Sequence, residues 1–431
     1  MTTATTTTTI RLLARIAIVL IAAMLAACGT SHTPPPPPPP PAFTLLYSFT
    51  GGADGGNPST VTMVRDAQGN LYGTTQFGAD VNCNASLHPG CGTVWKLDPA
   101  GNLTALYTWS GGTLGGGGSG LVEDGAGNLF GTAGYGGLGN GFVFELNQNG
   151  TFTDLYDFAA GSDGDAPTGT LFRDANGNLF GTTLLGGGST DPLCPNGQGC
   201  GTVFELAANG QYKLLYSFLN NADGAEPQNL VADSTGNLYG VTSAGGQGCQ
   251  PISGCGTVFQ LDVSGHKTVL HYFTGGSDGS TPLGSLSLDS AGNLYGSTQA
   301  GGDLTCPING GAGCGVIFKI APTGAETVLY AFHGGSDGSV PVSVIPDGSG
   351  NFYGTAQGGP NPSPCGTVFK LDAQSNLTNL YSPVGANGCG PIGALVRDSA
   401  GNLFVATALG GDENNGNVCY NGCGTVFKIK P

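Results

Sequence analysis

The sequence predicts an all-β fold, a seven-bladed β-propeller built from four-stranded blades. Three observations lead to this prediction: a short block repeats seven times, each copy holds four strand-like apolar segments, and the two ends of the array complement each other. The block reads Gly-Asn-Leu-Tyr-Gly or a close variant. Its copies begin at Gly69, Gly127, Gly177, Gly236, Gly292, Gly350 and Gly401.

The spacing of the copies is 50 to 59 residues, which is the size of a propeller blade and exceeds that of ankyrin or tetratricopeptide repeats. In the third copy, strands are predicted over residues 170–173, 178–182, 201–206 and 214–218. An Asp-Ala-Asn-Gly turn joins the first two, since aspartate caps such a turn and glycine accepts positive φ. No segment has the periodicity of an amphipathic helix, so an all-β blade follows.

The array begins and ends out of phase. Residues 45–49 match the fourth strand of a blade, whereas residues 424–429 at the other end match a third strand. The N-terminal strand is therefore predicted to complete the C-terminal blade, which closes the ring and removes its sheet edges. An open solenoid would need capping repeats instead. We expect residues 43–431 to form this single propeller.

The N-terminal residues predict export and lipid anchoring. Two arginines precede an apolar run over residues 16–27, which is too short to span a bilayer and has the length of a signal sequence. The run ends in Leu-Ala-Ala-Cys-Gly, which resembles the bacterial lipobox. That resemblance implies removal of residues 1–27 and lipidation of Cys28. An ordinary secretory signal with a coincidental cysteine is the alternative.

Residues 28–42 are predicted to be a linker between the lipid anchor and the propeller. The linker contains eight consecutive prolines, which form an extended helix that rises about 3.1 Å per residue and span roughly 25 Å. The expected location is thus exported and lipid-anchored to the cell envelope, at the outer membrane or cell surface. Gly29 after the cysteine implies sorting to the outer membrane where the host has one.

The amino-acid composition limits the kinds of partner that the chain is expected to bind. The chain has 80 glycines, 39% hydrophobic residues and a formal net charge of −16. The apolar fraction suffices for a folded core. The negative charge repels phosphate backbones, so no nucleic-acid partner is expected. We expect a monomer that contacts the membrane through its anchor.

The repeated motifs resemble the GloVer tandem repeat. Residues 66–75 carry its Asp-x-x-Gly-Asn-Leu-Tyr-Gly-Thr-Thr block, residues 92–97 its Gly-Thr-Val-aromatic-Lys-Leu strand, and residues 275–282 its Gly-Gly-x-Asp-Gly-x-x-Pro loop. The resemblance extends over residues 43–431. It implies an exported, surface-anchored protein and no particular activity.

Twelve cysteines besides Cys28 predict six disulfides. Five pairs are local, each between the second and third strands of one blade: Cys83 with Cys91, Cys194 with Cys200, Cys249 with Cys255, Cys306 with Cys314, and Cys419 with Cys423. Cys365 and Cys389 remain, on loops that leave the same face of adjacent blades, so they are predicted to pair across the boundary. Thiolate zinc sites are the competing interpretation, which the spread of the pairs over separate blades of an exported protein disfavours.

An acidic loop recurs between the fourth strand and the next blade. Its aspartates are Asp54, Asp163, Asp223, Asp278 and Asp337. Such a ring of carboxylates could bind Ca²⁺ or a polyhydroxylated ligand. The structural alternative, which we favour, is that each aspartate caps its own Asp-Gly turn, since the second and seventh copies lack it. Apart from calcium, no cofactor, metal site or catalytic residue is predicted.

The functional hypothesis is a non-catalytic, lipid-anchored envelope propeller that binds a carbohydrate or protein ligand. The alternative is an exported hydrolase or lyase with a metal in the central channel, because propellers host such enzymes. We expect specific function on the face that carries the cysteine loops, where the copies differ most. Residues 77–89 and 186–198 are the strongest departures from the repeat.

Overall fold

Seven antiparallel sheets make up the structure, a computed structural model of the chain, and they form a seven-bladed β-propeller. The structure describes residues 41–58, 62–79, 83, 90–111, 116–167, 169–189, 194, 198–247, 249, 254–306, 311–358, 365–391, 393, 395–411 and 422–431. No α-helix occurs in these ranges, and two short 3-10 turns follow the fourth strands of two blades, at Asn221–Asp223 and Gly385–Asn387.

The strands of the first three blades, after β1 (Ala42–Ser48), are β2 (Gly56–Pro58), β3 (Val64–Arg65), β4 (Leu71–Phe77), β5 (Thr93–Leu97) and β6 (Leu103–Thr108) in blade 1; β7 (Gly116–Glu123), β8 (Leu129–Tyr135), β9 (Phe142–Leu146) and β10 (Phe152–Asp157) in blade 2; and β11 (Phe172–Arg173), β12 (Leu179–Thr183), β13 (Thr202–Leu206) and β14 (Tyr212–Ser217) in blade 3.

The strands of the remaining blades are β15 (Ala225–Ala232), β16 (Leu238–Ala244), β17 (Thr257–Leu261) and β18 (Lys267–Tyr272) in blade 4; β19 (Ser280–Leu288), β20 (Leu294–Ala300), β21 (Val316–Ile320) and β22 (Glu326–Ala331) in blade 5; β23 (Ser339–Pro346), β24 (Phe352–Gly358), β25 (Thr367–Leu371) and β26 (Leu377–Tyr381) in blade 6; and β27 (Cys389–Pro391), β28 (Val396–Arg397), β29 (Leu403–Leu409) and β30 (Thr425–Lys430) in blade 7.

The N-terminal strand closes the ring, as the sequence predicted. Strand β1 pairs antiparallel with β30, and the register places Phe43 opposite Ile429 and Tyr47 opposite Val426. Blade 7 thus takes three strand positions from the C-terminus and its outermost strand from the N-terminus. The covalent ends of the array meet in one sheet, so blade 7 has four strand positions like the other blades.

Aromatic rings pack between consecutive blades. A third-strand ring meets the phenylalanine that follows the fourth strand of the preceding blade, as Phe259 meets Phe218 with ring centroids 5.3 Å apart. The glycine opposite the ring is required by this contact, since a Cβ on Gly240 would lie 2.7 Å from the Phe259 ring. The Gly-aromatic pair is therefore a packing unit.

Blade 7 replaces this unit. Val405 stands where six blades have glycine, and Pro383 stands where the other six copies have phenylalanine or, at Trp109, tryptophan. Without that phenylalanine, the ring of Phe427 packs against Phe43 and Tyr381, with centroids 5.4 and 5.5 Å away. Blades 2 and 3 have the same kind of contact, between Phe144 and Phe152 and between Phe204 and Tyr212, so blade 7 keeps this contact and lacks the one to the preceding phenylalanine.

The antiparallel order within each blade defines two faces. Loops between the second and third strands, and loops from the fourth strand to the next blade, leave on one side, here called the disulfide face. The other two turns of each blade leave on the opposite side, here called the turn face. The repeated Gly-Asn-Leu-Tyr-Gly block lies at the turn face, where its aspartate forms the turn: Asn70 donates its backbone N–H to Asp66 over 2.8 Å.

Candidate functional site

The five repeated aspartates cap their own loops on the disulfide face. Asp54 accepts hydrogen bonds from the Thr50 backbone N–H at 2.8 Å and the Tyr47 hydroxyl at 3.0 Å. Burial and the Asp54 carboxylate raise the pKa of Tyr47 to about 12. The other four accept the backbone N–H four residues earlier: Asp163 from Ala159, Asp223 from Leu219, Asp278 from Thr274, and Asp337 from His333.

Each of these carboxylates therefore serves its own turn, which is the structural alternative considered from the sequence. The structure does not bring the five together. In the part of the chain that it describes, no group of three His, Cys, Asp or Glu side chains is placed to hold a metal ion. Calcium binding at these loops stays a prediction.

The same loops clasp neighbouring blades. The residue before the loop proline has left-handed backbone geometry, with φ of 57° at Glu226, and donates its N–H to the preceding blade. The acceptor is the carbonyl of the residue two positions before the third strand. The seven contacts run from Asn57 to Cys423, Gly117 to Cys91, Ala166 to Asn140, Glu226 to Cys200, Thr281 to Cys255, Val340 to Cys314, and Gly390 to Cys365.

The sequence reasoning missed this contact. The sequence did contain a signal for this contact, because the Asp-Gly-x-x-Pro and Cys-Gly-Thr-Val motifs recur together. Only the structure shows that the two motifs meet across a blade boundary. The proline completes the clasp: in blade 4 the Pro227 ring lies against Gly201 of blade 3, where a Cβ would come within 2.5 Å of its Cδ. Both motifs are thus parts of one inter-blade joint.

Five disulfides reinforce the disulfide face, with Cα atoms 4.3 to 5.8 Å apart. They join the predicted partners Cys83 and Cys91, Cys194 and Cys200, Cys249 and Cys255, Cys306 and Cys314, and Cys365 and Cys389. The last pair crosses from blade 6 to blade 7, beside the clasp formed by Gly390. In the sixth predicted pair, Cys423 is buried and disulfide-bonded, and Cys419 lies outside the described residues.

Disulfides in this number indicate an oxidising compartment, so the chain is an exported protein. The segments from which lipid anchoring is predicted lie outside the described residues, namely the signal sequence, Cys28 and nearly all of the proline-rich linker. Among the residues that are described, no helix has the length and apolarity needed to cross a membrane.

A pocket of about 300 Å³ with four polar side chains in its lining opens on the disulfide face between blades 2 and 3. Asn140, Asp165, Ser189 and Gln198 line it with amide, carboxylate and hydroxyl groups. Ser189 and Gln198 belong to the 186–198 insertion that the sequence singled out, of which residues 190–193 and 195–197 lie outside the described part. The pocket is thus built where the chain departs from its repeat.

Asp165 is the residue of this pocket that the sequence analysis overlooked. The other six copies have glycine, alanine, serine or cysteine at its position. Its backbone is anchored by two hydrogen bonds of 3.0 Å to Leu185. Burial raises the pKa of its carboxyl, and the neighbouring Asp163 adds to that effect. Because Asp165 is the one acidic side chain at this position of the repeat, it was a usable signal in the sequence.

Exposed apolar side chains concentrate on the same face. Of eight large hydrophobic residues that are exposed in the described part of the chain, five lie at disulfide-face loops or strand ends: Tyr135, Leu138, Leu219, Leu304 and Val384. Leu138 is 68% exposed and stands two residues from Asn140 in the loop between β8 and β9. Apolar groups beside a polar pocket are typical of a binding surface.

Solved structures share the fold at low identity. The chain is 13% and 11% identical to extracellular domains of two proteins described as hybrid two component systems of B. thetaiotaomicron, each with a TM-score of 0.54. The alignments cover 91% and 90% of this chain but 41% and 39% of theirs, so it spans about two fifths of their length. A gluconolactonase from Xanthomonas campestris is 14% identical with a TM-score of 0.40, over 70% of this chain and 81% of the enzyme.

The two likenesses with a TM-score of 0.54 agree with the propeller architecture and carry no activity to this chain. No curated protein matches the sequence. A family model does match it, over residues 37–248 and 253–431, which is nearly the whole propeller and agrees with the repeat resemblance seen in the sequence. The chain belongs to the Gloeobacter/Verrucomicrobia repeat family.

Proposed function

We propose that this protein is a non-catalytic binding module, held at the cell envelope by a lipid on Cys28, whose disulfide face binds a carbohydrate or protein ligand. The observation that supports this proposal is the combination on one face of a polar pocket with exposed apolar side chains. The closed ring of clasped and disulfide-bonded blades makes that face a rigid platform, which lowers the entropy cost of binding.

The pocket favours a carbohydrate. Asn140 and Gln198 offer both amide donors and acceptors, and the Asp165 carboxylate accepts hydroxyl donors, which are the groups that a sugar ring presents. Leu138 is exposed in the loop that carries Asn140, and an apolar side chain beside the pocket suits the apolar side of a sugar ring. A protein loop is the other ligand class that such a surface serves.

The competing function is a metal-dependent hydrolase or lyase with its site at the central channel. Several residues of the innermost strands lie outside the described ranges, including 59–61, 168, 392 and 394. Elemental analysis of the purified chain separates the two functions: a stoichiometric transition metal contradicts the binding-only proposal and favours the enzyme.

The direct experiment is a glycan-array screen of the full chain, followed by titration of the best ligand into variants. Asp165→Asn and Gln198→Ala should each weaken binding about tenfold, because each removes a hydrogen-bonding partner of the ligand. Gln374→Ala, an exposed residue on the turn face of blade 6, is the matched control and should change nothing. Equal affinities for all three variants contradict this site.

A further inference from the structure

A second pocket lies on the turn face, between blades 1 and 2, and its volume is about 450 Å³. Tyr72, Lys96 and Glu123 line it together with the turn that contains Asp66. The sequence predicted only structural turns on this face. The pocket belongs to a crevice that recurs at the blade boundaries, and three of the other boundaries show what can fill it.

At three boundaries the crevice is filled by an arginine of the chain itself. This arginine is the last residue before the turn aspartate, and its guanidinium lies over the second-strand aromatic ring of the preceding blade. The pairs are Arg65 over Phe404 at 5.3 Å, Arg173 over Phe130 at 5.4 Å, and Arg397 over Tyr353 at 5.5 Å from the ring centroid. These are cation–π contacts.

The arginine also lies near the turn aspartate of the preceding blade. Burial raises the pKa of Asp124, and hydrogen bonds from Asn128 together with the charge of Arg173 bring it below the ordinary value. Each filled crevice therefore surrounds a guanidinium with a ring on one side and a carboxylate nearby. This is the environment that proteins use to hold arginine.

Between blades 1 and 2 the arginine is missing and an acid replaces it. The residue before the turn aspartate is Glu123 here, and it is alanine, leucine or proline at the remaining three boundaries. The ring of Tyr72 and the carboxylate of Asp66 are still present, joined by a 3.0 Å hydrogen bond from the tyrosine hydroxyl. Within the described residues, neither Asp66 nor Glu123 has a salt-bridge partner.

Glu123 is held in place rather than free to turn away. Its Oε1 accepts the backbone N–H of Gly127 at 3.1 Å. A carboxylate accepts several hydrogen bonds, so its second oxygen can still receive a donor. The pocket thus combines two carboxylates with the aromatic ring.

Lys96 does not exclude a cation from this pocket. Its Nζ lies 5.8 Å from the Tyr72 ring centroid. In the crevice between blades 6 and 7, Lys370 lies 5.9 Å from the Tyr353 ring, and Arg397 occupies that same crevice. The chain itself therefore demonstrates that a guanidinium is compatible with a lysine at this position.

We infer that the pocket at Tyr72 and Glu123 binds a guanidinium group, supplied by an arginine side chain of a partner protein. The partner's arginine takes the place that Arg65, Arg173 and Arg397 take in their own crevices. Glu123 adds a carboxylate at the sequence position where those crevices have their own arginine. This site is on the face opposite the proposed carbohydrate pocket, so the two can be occupied independently.

The test uses N-acetyl-arginine-N-methylamide as the probe, titrated into the full chain and followed by ligand-observed NMR. We expect saturable binding that weakens with added salt, because the pocket is open to solvent. The citrulline analogue has the same shape without the charge and should bind at least about tenfold more weakly. Equal binding of the two probes, or no binding of the arginine probe at millimolar concentration, overturns the inference.

Two variants assign the binding to the pocket. Glu123→Arg fills the crevice with the chain's own guanidinium and should abolish binding while the protein remains folded, as thermal unfolding would show. Glu145→Gln is the matched control: it makes an acid neutral in the arginine-filled crevice between blades 2 and 3, and should leave probe binding unchanged. Binding that survives Glu123→Arg contradicts the site.

Discussion

The crevices on either side of blade 2 have the same architecture and different contents. Between blades 2 and 3, Arg173 covers the ring of Phe130 and the remaining pocket measures about 180 Å³. Between blades 1 and 2, Glu123 takes the arginine's position and the pocket measures about 450 Å³. A single departure from the repeat thus exchanges an internal contact for an open, charged surface.

The comparison shows how a repeat acquires a site without changing its fold. The four-stranded order and the inter-blade clasp recur at both boundaries, so the scaffold does not depend on the arginine. Where the arginine is present it stabilises the boundary. Where it is absent, the ring and carboxylate that would have received it remain available to another molecule.

The largest effect is expected for Arg173→Ala. This change removes a cation–π contact and the packing of the arginine stem, and should lower the free energy of unfolding by about 1 to 2 kcal/mol. Glu123→Ala should change it by less than about 0.5 kcal/mol, because that side chain fills no crevice. Urea unfolding of both variants measures the difference, and equal losses would show that the two crevices are equivalent.

A somewhat smaller loss is expected for Tyr72→Phe. Phenylalanine fits, since Phe130 occupies the same position in blade 2, but the hydrogen bond to Asp66 is lost. The site is partly exposed, so the cost should be about 1 kcal/mol. Urea unfolding again provides the measurement. An unchanged midpoint would indicate that water replaces the hydroxyl at this open crevice.

A small gain is expected for Glu123→Arg. The new arginine should lie over Tyr72 as Arg397 lies over Tyr353, and raise the free energy of unfolding by about 0.5 kcal/mol. The same variant should lose the arginine probe. A destabilised Glu123→Arg protein would mean that the open crevice cannot adopt the geometry of the filled ones. That result would contradict the equivalence of the two crevices.

A pH-dependent effect is expected for an acid at the start of the outermost strand of blade 5. Burial raises the pKa of Glu326 from 4.5 to about 7, with a further contribution from Asp278. Between pH 4.5 and 7 the folded state therefore retains a proton that the unfolded state loses, so stability falls as pH rises through this window. Glu326→Gln should flatten this part of the stability profile, measured by thermal unfolding across pH. The contact between the His271 Nε2 and Asp278, which are 3.5 Å apart, does not involve Glu326 and should be the same in the variant.

Much of the structure could be predicted from residues alone. The spacing of the Gly-Asn-Leu-Tyr-Gly copies predicted seven blades, and the unmatched end strands predicted the pairing of β1 with β30. The pairing of Cys365 with Cys389 followed from which loops share a face. These predictions succeed because each copy of the repeat has the same strands and turns, and only one arrangement of blades is consistent with all seven copies.

The candidate sites were harder to predict for a physical reason. The 186–198 insertion marked one wall of the polar pocket, yet Asp165 and Asn140 come from other loops that only the ring brings beside it. The sequence also assigned the turn face to structure alone. Glu123 is visible there as an acid among arginines, but its meaning depends on the aromatic ring that the neighbouring blade places opposite.

The sequence by itself determined the blade count, the phase of the strands, the disulfide partners now seen and the capping role of the loop aspartates. These properties follow from local hydrogen bonding and from the periodicity of the repeat, both of which can be read in the amino-acid sequence. The tertiary structure alone decided which motifs meet across boundaries, which crevices are filled and which stay open. Those properties depend on volumes shared between blades, and no single repeat encodes the space between itself and its neighbour.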